Sequence, residues 1–111
     1  MDFTDGLLLR IFVGETEKHR GLPLYEWIIG EAREFGVAGA TAIRGIAGYG
    51  GHHRIHTAKV VDLSLDLPVV VEIVDTEPRV RAFLAQIEPA LTAGFSTLES
   101  VQFHANRAAV H

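Results

Sequence analysis

Along this chain, segments whose hydrophobic residues alternate as in a strand are followed by segments with the spacing of a helix. The order of these segments limits the fold more than any other feature. Over residues 7–13 the apolar side chains alternate, which is typical of a half-buried strand. A helix is predicted to begin near Pro23, because proline suits a first helical position, and to end at the C-cap Gly36. Its apolar stripe follows helical spacing: Leu24, Trp27, Ile28, Ala32 and Phe35.

The second half of the chain repeats this alternation of periods. Strands are predicted over about 39–46, 59–63 and 67–75, and Pro68 predicts a bulge or an edge position in the last of these. A second helix should follow Thr76, with Pro89 kinking or ending it. Its stripe consists of Val80, Phe83, Leu84, Ile87 and Leu91. A turn over 92–97 and a strand over 98–104 complete the pattern.

The order strand, helix, strand, strand, helix, strand predicts an α+β fold of the ferredoxin-like βαββαβ type. In that fold an antiparallel sheet carries two helices on one face. The length of 111 residues indicates a single domain over 1–111, with a flexible loop at about 48–59 and a loose tail over 105–111. The face away from the helices is also partly apolar, through Leu8, Phe12, Val70 and Val74. We therefore expect an oligomer packed through that open face.

The composition argues against several kinds of function. The chain has no cysteine, so disulfides, thiolate catalysis and Cys-ligated zinc are excluded. Ser64, Ser96 and Ser100 have no evident base partner, so we see no catalytic constellation and expect no enzymatic activity. A net charge of −4 disfavours nucleic-acid binding. No signal peptide or membrane span is evident, and a cytoplasmic protein is expected.

A basic, glycine-rich segment stands out against this acidic background. Residues 35–61 contain no Asp or Glu, and Arg44, Arg54 and Lys59 lie among them. Four glycines fall within 45–51, where they allow the backbone to approach a ligand closely. Convergent cations and backbone N–H groups lower the energy of a bound phosphate or carboxylate, so the segment predicts an anion site.

The same segment contains His52, His53 and His56, which allow an alternative function. Imidazole is a common ligand of zinc, copper and nickel, and a divalent-metal trimer similar to the CutA proteins would use these three residues. No carboxylate lies nearby in the sequence to complete the site. A polar loop whose histidines only solvate it is the interpretation that we prefer, and we assign no metal ligand.

Several short motifs in fixed order resemble the PII-like signalling proteins, and most closely a small, largely uncharacterised group within them. They include Gly14-Glu15-Thr16 after the first strand and Pro23-Leu24-Tyr25-Glu26 at the first helix. The most specific are Arg44-Gly45-Ile46-Ala47-Gly48-Tyr49-Gly50, Arg54-Ile55-His56-Thr57 and the run over 67–75. Together they cover nearly all of residues 7–103.

The resemblance implies a homotrimer that binds small ligands, typically adenine nucleotides, in clefts between subunits. The loop at 48–59 would fold over the ligand and contact a partner protein, such as a membrane transporter or channel. With the basic segment, the resemblance implies these ligand-binding residues: Thr41, Arg44, Gly45, Gly48, Tyr49, Gly50, Arg54, Gly94, Phe95, Ser96 and Thr97.

The chain departs from the PII pattern at several positions. It lacks the glutamine that follows the loop-root glycines, and residues 94–97 lack the lysine of the second-helix turn. The C-terminal basic motif is reduced to Arg107. A nucleotide smaller or less charged than ATP is therefore as compatible with the sequence as ATP is. No cofactor is assigned beyond this adenine nucleotide.

Overall fold

The computed structural model describes residues 1–49, 56–57 and 66–105. Four strands form one antiparallel sheet: β1 (Thr4–Gly14), β2 (Gly39–Arg44), β3 (Pro68–Asp75) and β4 (Phe95–Phe103). Their order across the sheet is β2-β3-β1-β4. Helix α1 (Leu24–Phe35) follows β1 and helix α2 (Glu77–Ile87) follows β3, so the chain has the predicted ferredoxin-like βαββαβ fold.

Two short ladders accompany the main sheet. Lys18–His19 pairs with Leu22–Pro23 in a tight hairpin before α1. Ala47–Gly48 pairs with His56–Thr57 beyond the end of β2. The predicted pairing at 59–63 lies outside the described residues, as does most of the predicted tail.

The core lies between the helices and one face of the sheet, as the two periods predict. Alternate residues of the two central strands are buried, and each helix buries three side chains of its predicted stripe. The buried set comprises Leu7, Leu9, Ile11 and Val13 of β1, Val69, Val71 and Ile73 of β3, Leu24, Ile28 and Ala32 of α1, and Val80, Phe83 and Ile87 of α2. Trp27 and Phe35 are partly buried and pack against this core.

Asp75 connects the end of α1 to the beginning of α2. Its buried carboxylate accepts backbone N–H bonds from Ala38 at 3.0 Å and Thr76 at 2.7 Å, and a bond from Arg79 Nε at 3.0 Å. Arg79 in turn donates to the carbonyl oxygens of Phe35 and Gly36, at 3.2 and 2.9 Å. These bonds occupy carbonyls that the last turn of a helix leaves without intrahelical partners.

Helix α1 begins at Leu24, beside the predicted start, and Pro23 is its N-cap because its ψ of 134° is extended. Two other predictions were wrong, one at Pro68 and one at the end of β2. Pro68 is the first residue of a central strand, so it lies neither at a bulge nor at an edge of the sheet. Proline is tolerated at this position because the first residue of a strand need not donate an N–H to the neighbouring strand. Strand β2 ends at Arg44, because the next residue, Gly45, donates its N–H to Pro68 O but Pro68 has no N–H to donate in return. The predicted effect of Pro89 is confirmed, because α2 ends at Ile87 and a 3₁₀ turn spans Glu88–Ala90.

The last strand begins three residues earlier than predicted. Phe95, Ser96 and Thr97 belong to β4 and not to a turn. Gly94 has a φ of 81°, and this left-handed residue leads directly into the strand. Phe95 can then stack on Phe12, with ring centroids 4.4 Å apart and planes 12° apart.

Candidate ligand-binding site

Most of the described residues in the predicted site lie at one end of the sheet, which we call the loop end. Strands β1 and β2 finish there, at Gly14 and Arg44, and strands β3 and β4 begin there, at Pro68 and Phe95. Antiparallel pairing therefore gathers segments that are far apart in the sequence, such as Phe12 and Phe95, which are 83 positions apart.

One group of predicted residues lies at the β2 edge of the loop end. Arg44 is the last residue of β2, its side chain is 64% exposed, and its guanidinium forms an ion pair with Glu15. Gly45 follows with its N–H bonded to the carbonyl oxygen of Pro68 at 2.7 Å. Gly48 belongs to the short ladder beyond, and Tyr49 is exposed. At this edge, therefore, an accessible guanidinium lies near glycine residues, whose backbone carries no side chain.

A second group lies at the β4 edge. Gly94, Phe95 and Ser96 line a cleft of about 290 Å³ whose other walls are apolar, from Ile11, Leu84, Leu91 and Ala93. Glu88 is the one charged residue among the described residues that line it. A cleft with apolar walls and a carboxylate suits a flat heterocycle with an amine better than it suits a phosphate.

Gly94 is required at this turn for a second reason besides its φ. A Cβ there would overlap the carbonyl oxygen of Phe12. Any side chain would push the turn away from β1 and alter the cleft beside it.

Thr41 and Thr97 lie apart from both groups, on the open face. Directly paired residues of antiparallel strands share a face, and one row across the sheet contains Thr41, Glu72, Arg10 and Thr97. Thr41 and Arg44 are three positions apart in one strand, so their side chains point to opposite faces.

Arg10 is the centre of a charge network in that row which the sequence did not indicate. Its Nε lies 3.0 Å from Glu72 Oε2, and its NH1 lies 2.6 Å from Glu99 Oε1. Hydrogen bonds to Glu72 and then Glu99 raise the pKa of Arg10 above its ordinary value. Two carboxylates thus engage Arg10, which is unsuited to bind an anion.

The two groups of predicted site residues are at opposite edges of the same sheet. Ile43, Val70, Phe12 and Phe95 form one row from edge to edge. With strands about 4.8 Å apart, three spacings separate β2 from β4 by about 14 Å. One protomer therefore does not bring Arg44 and the cleft at Ser96 to the same small ligand.

Several predicted residues fall outside the described part of the chain. These are Gly50 and Arg54 of the anion segment, and His52 and His53 of the alternative metal site. His56 is described only through its backbone pairing with Gly48. Among residues 1–49, 56–57 and 66–105, no group of three or more His, Asp or Glu side chains is arranged to hold a metal ion.

A larger cleft of about 420 Å³ opens at the other end of the sheet. Asp5, Glu77, Ser100 and Gln102 contribute its polar lining. Among the described residues that line it, both charged ones are acidic, and this is the wrong charge for binding an anion. No helix in the described part of the chain is long and apolar enough to cross a membrane.

Comparison with known proteins identifies the family to which this chain belongs. Residues 6–103 match the DUF190 family, described as "Uncharacterized ACR, COG1993". The chain is 44% identical over 95 residues to a UPF0166 protein of Aquifex aeolicus, covering 86% of this chain and 90% of that one. It is 32% identical over 80 residues to a UPF0166 protein of Methanocaldococcus jannaschii, covering 72% and 73% of the two chains. The chain belongs to the DUF190 family.

The solved structures show that this chain has the PII-like fold, which the sequence motifs predicted. CPII, a nitrogen regulatory PII-like protein from Thiomonas intermedia K12 bound to ADP, AMP and bicarbonate, superposes with a TM-score of 0.68. The match covers 92% of this chain and 91% of CPII at 17% identity. At that identity the likeness establishes a shared PII-like fold.

Proposed function

We propose that this protein is a PII-like signal-transduction protein that binds a small anionic ligand, an adenine nucleotide, in clefts between the subunits of a homotrimer. The observation that carries the proposal is the separation of the two site groups. They lie at the same end of the sheet, at opposite edges, about 14 Å apart. In a ring of three protomers, the β2 edge of one subunit can face the β4 edge of the next.

The two edges are complementary in what they would contribute to one nucleotide. The cleft at β4 would take the adenine base, with apolar walls against its faces and Glu88 accepting from its exocyclic amine. Arg44 of the neighbouring subunit would take the phosphates. A cleft of about 290 Å³ is at the lower limit of ligand pockets, roughly 300–1,000 Å³, so the neighbour is needed to enclose the ligand.

Regulation would come from the loop at 48–59, which begins beside Arg44. A ligand bound at its root would favour one arrangement of the loop and so change which partner protein can dock. CPII, which shares the fold, has been solved with ADP and AMP, and this supports an adenine nucleotide as the ligand. The protein would act by binding, without turnover of the nucleotide.

Calorimetric titration with ATP, ADP, AMP and cyclic AMP, with and without Mg²⁺, tests the proposal. We expect saturable binding near one ligand per protomer, weakened at least tenfold in Arg44→Ala. Arg33→Ala is the matched control, because Arg33 is exposed on α1 and forms no ion pair among the described residues. Absence of binding for all four nucleotides would contradict the proposal.

A further inference from the structure

The loop over residues 14–17 contacts both ends of the long connection between β2 and β3. At the end where the connection rejoins the sheet, Glu15 N–H bonds to Leu67 O at 2.8 Å, and Thr16 N–H bonds to Asp66 Oδ1 at 2.7 Å. At the end where it leaves the sheet, the carboxylate of Glu15 forms the ion pair with Arg44. Glu15 is therefore the one described residue that bonds to both ends.

Hydrogen bonds and close packing hold the backbone of this loop in place, and this determines where the side chain of Glu15 lies. Asp66 covers the Cα of Gly14, where a Cβ would overlap its carboxylate. Gly14 N–H donates to Glu17 Oε1 at 2.8 Å, and Glu17 N–H donates to Gly14 O at 3.2 Å. These bonds leave the Glu15 carboxylate beside the guanidinium that the proposed ligand would use.

The ion pair is of a kind that a stronger anion can replace. The Arg44 side chain is 64% exposed and that of Glu15 is 24% exposed. Ion pairs with this exposure contribute little to the stability of the protein, because solvent and salt screen the two charges. A phosphate group, with more charge and the geometry for two parallel hydrogen bonds, binds a guanidinium more strongly than one exposed carboxylate does.

We propose that Glu15 is an internal competitor for the anion site. Its carboxylate occupies Arg44 in the ligand-free protein, and an anionic ligand binds by displacing it. The carboxylate remains close to the bound anion and repels it, so Glu15 lowers the affinity of the site. The identity of the ligand as a nucleotide rests on the proposed function, whereas the competition itself requires only a phosphate anion.

The test compares Glu15→Gln with Glu17→Gln, and the probes are ADP and inorganic pyrophosphate in calorimetric titrations at low salt. Both variants remove one negative charge from the same loop, but only Glu15 contacts Arg44. We expect Glu15→Gln to bind each probe about 5-fold more tightly, which corresponds to the loss of one exposed ion pair. Glu17→Gln should stay within about 2-fold of the wild type. In Arg44→Ala, adding Glu15→Gln should have little further effect.

The outcomes separate this inference from the proposed function. If the wild type binds ADP but Glu15→Gln is unchanged or weaker, the nucleotide proposal stands and the competitor role is overturned. If ADP does not bind but pyrophosphate binds more tightly in Glu15→Gln, the competitor role stands without the nucleotide. If neither probe binds to any variant, both proposals are overturned. Thermal melts of the two variants confirm that both are folded before they are compared.

Discussion

Ile43 and Phe95 lie at opposite edges of the sheet but in the same row of its open face, with Val70 and Phe12 between them. Ile43 is 49% exposed and Phe95 is 47% exposed in the single chain. A continuous apolar row that ends in two exposed large side chains is unusual for a surface that faces water. It is consistent with a face that is covered by neighbouring subunits.

Val70→Glu should therefore break the assembly. It places a charge in the middle of the apolar row, and burying an unpaired charge is strongly unfavourable. Light scattering coupled to gel filtration should give three times the mass of one chain for the wild type and a smaller mass for Val70→Glu. Ala85→Glu, on the exposed side of α2, is the control and should leave the mass unchanged. A wild type that is monomeric at all concentrations would contradict the trimer.

Asp75→Ala should destabilise the fold more than any other single change in the contact between the two helix ends. It leaves two backbone N–H groups and Arg79 without their shared acceptor inside a mostly buried site. We expect a loss of about 2–3 kcal/mol in the free energy of unfolding. Urea denaturation measures it.

Arg79→Ala provides the comparison in that measurement. The Arg79 side chain is 45% exposed, and its removal leaves the backbone bonds to Asp75 intact. We expect a loss of about 1 kcal/mol. Equal losses in the two variants would show that Asp75 acts only through Arg79.

The elements of the fold were predictable because each has a strong hydrophobic period. The centre of the sheet and both helices follow directly from the alternation at Leu7–Val13 and the stripes of the helices. The start of β4 was not predictable in this way, because it depends on the left-handed conformation of Gly94 and on the Phe12–Phe95 stacking, which is tertiary structure.

The candidate site was predictable only in part. The residue types at the loop end came from the basic segment and the family motifs, but the Glu15–Arg44 pair joins residues 29 positions apart in separate elements. Neither composition nor spacing reveals such a pair. The opposite orientation of Thr41 and Arg44, in contrast, follows from the period of two in a strand and could have been predicted.

Two glycine substitutions should have opposite effects on stability. Gly94→Ala forces a Cβ against the Phe12 carbonyl at a φ of 81°, and we expect a loss of about 2 kcal/mol or more. Gly30→Ala lies on the exposed side of α1, where a Cβ meets no atom within 4 Å, so it should stabilise the protein by about 0.5–1 kcal/mol. Thermal unfolding of both variants measures the difference, and a stabilising Gly94→Ala would contradict the assigned turn.

The central claim is that each ligand site is shared between the β2 edge of one subunit and the β4 edge of the next. Arg44→Ala removes the first contribution, and Ser96→Trp should fill the cleft that provides the second. Each variant alone should bind ADP poorly. In a ring, a mixed trimer of the two variants always contains one junction at which both edges are intact.

The most direct measurement is ADP binding to trimers formed by refolding the two variants together at equal amounts. Random mixing places both variants in roughly three of four trimers, and each mixed trimer has one intact site where the wild type has three. About a quarter of the wild-type number of sites should therefore reappear, at wild-type affinity. Sites shared between subunits predict this recovery. Mixed trimers that bind ADP no better than either parent would contradict the shared site.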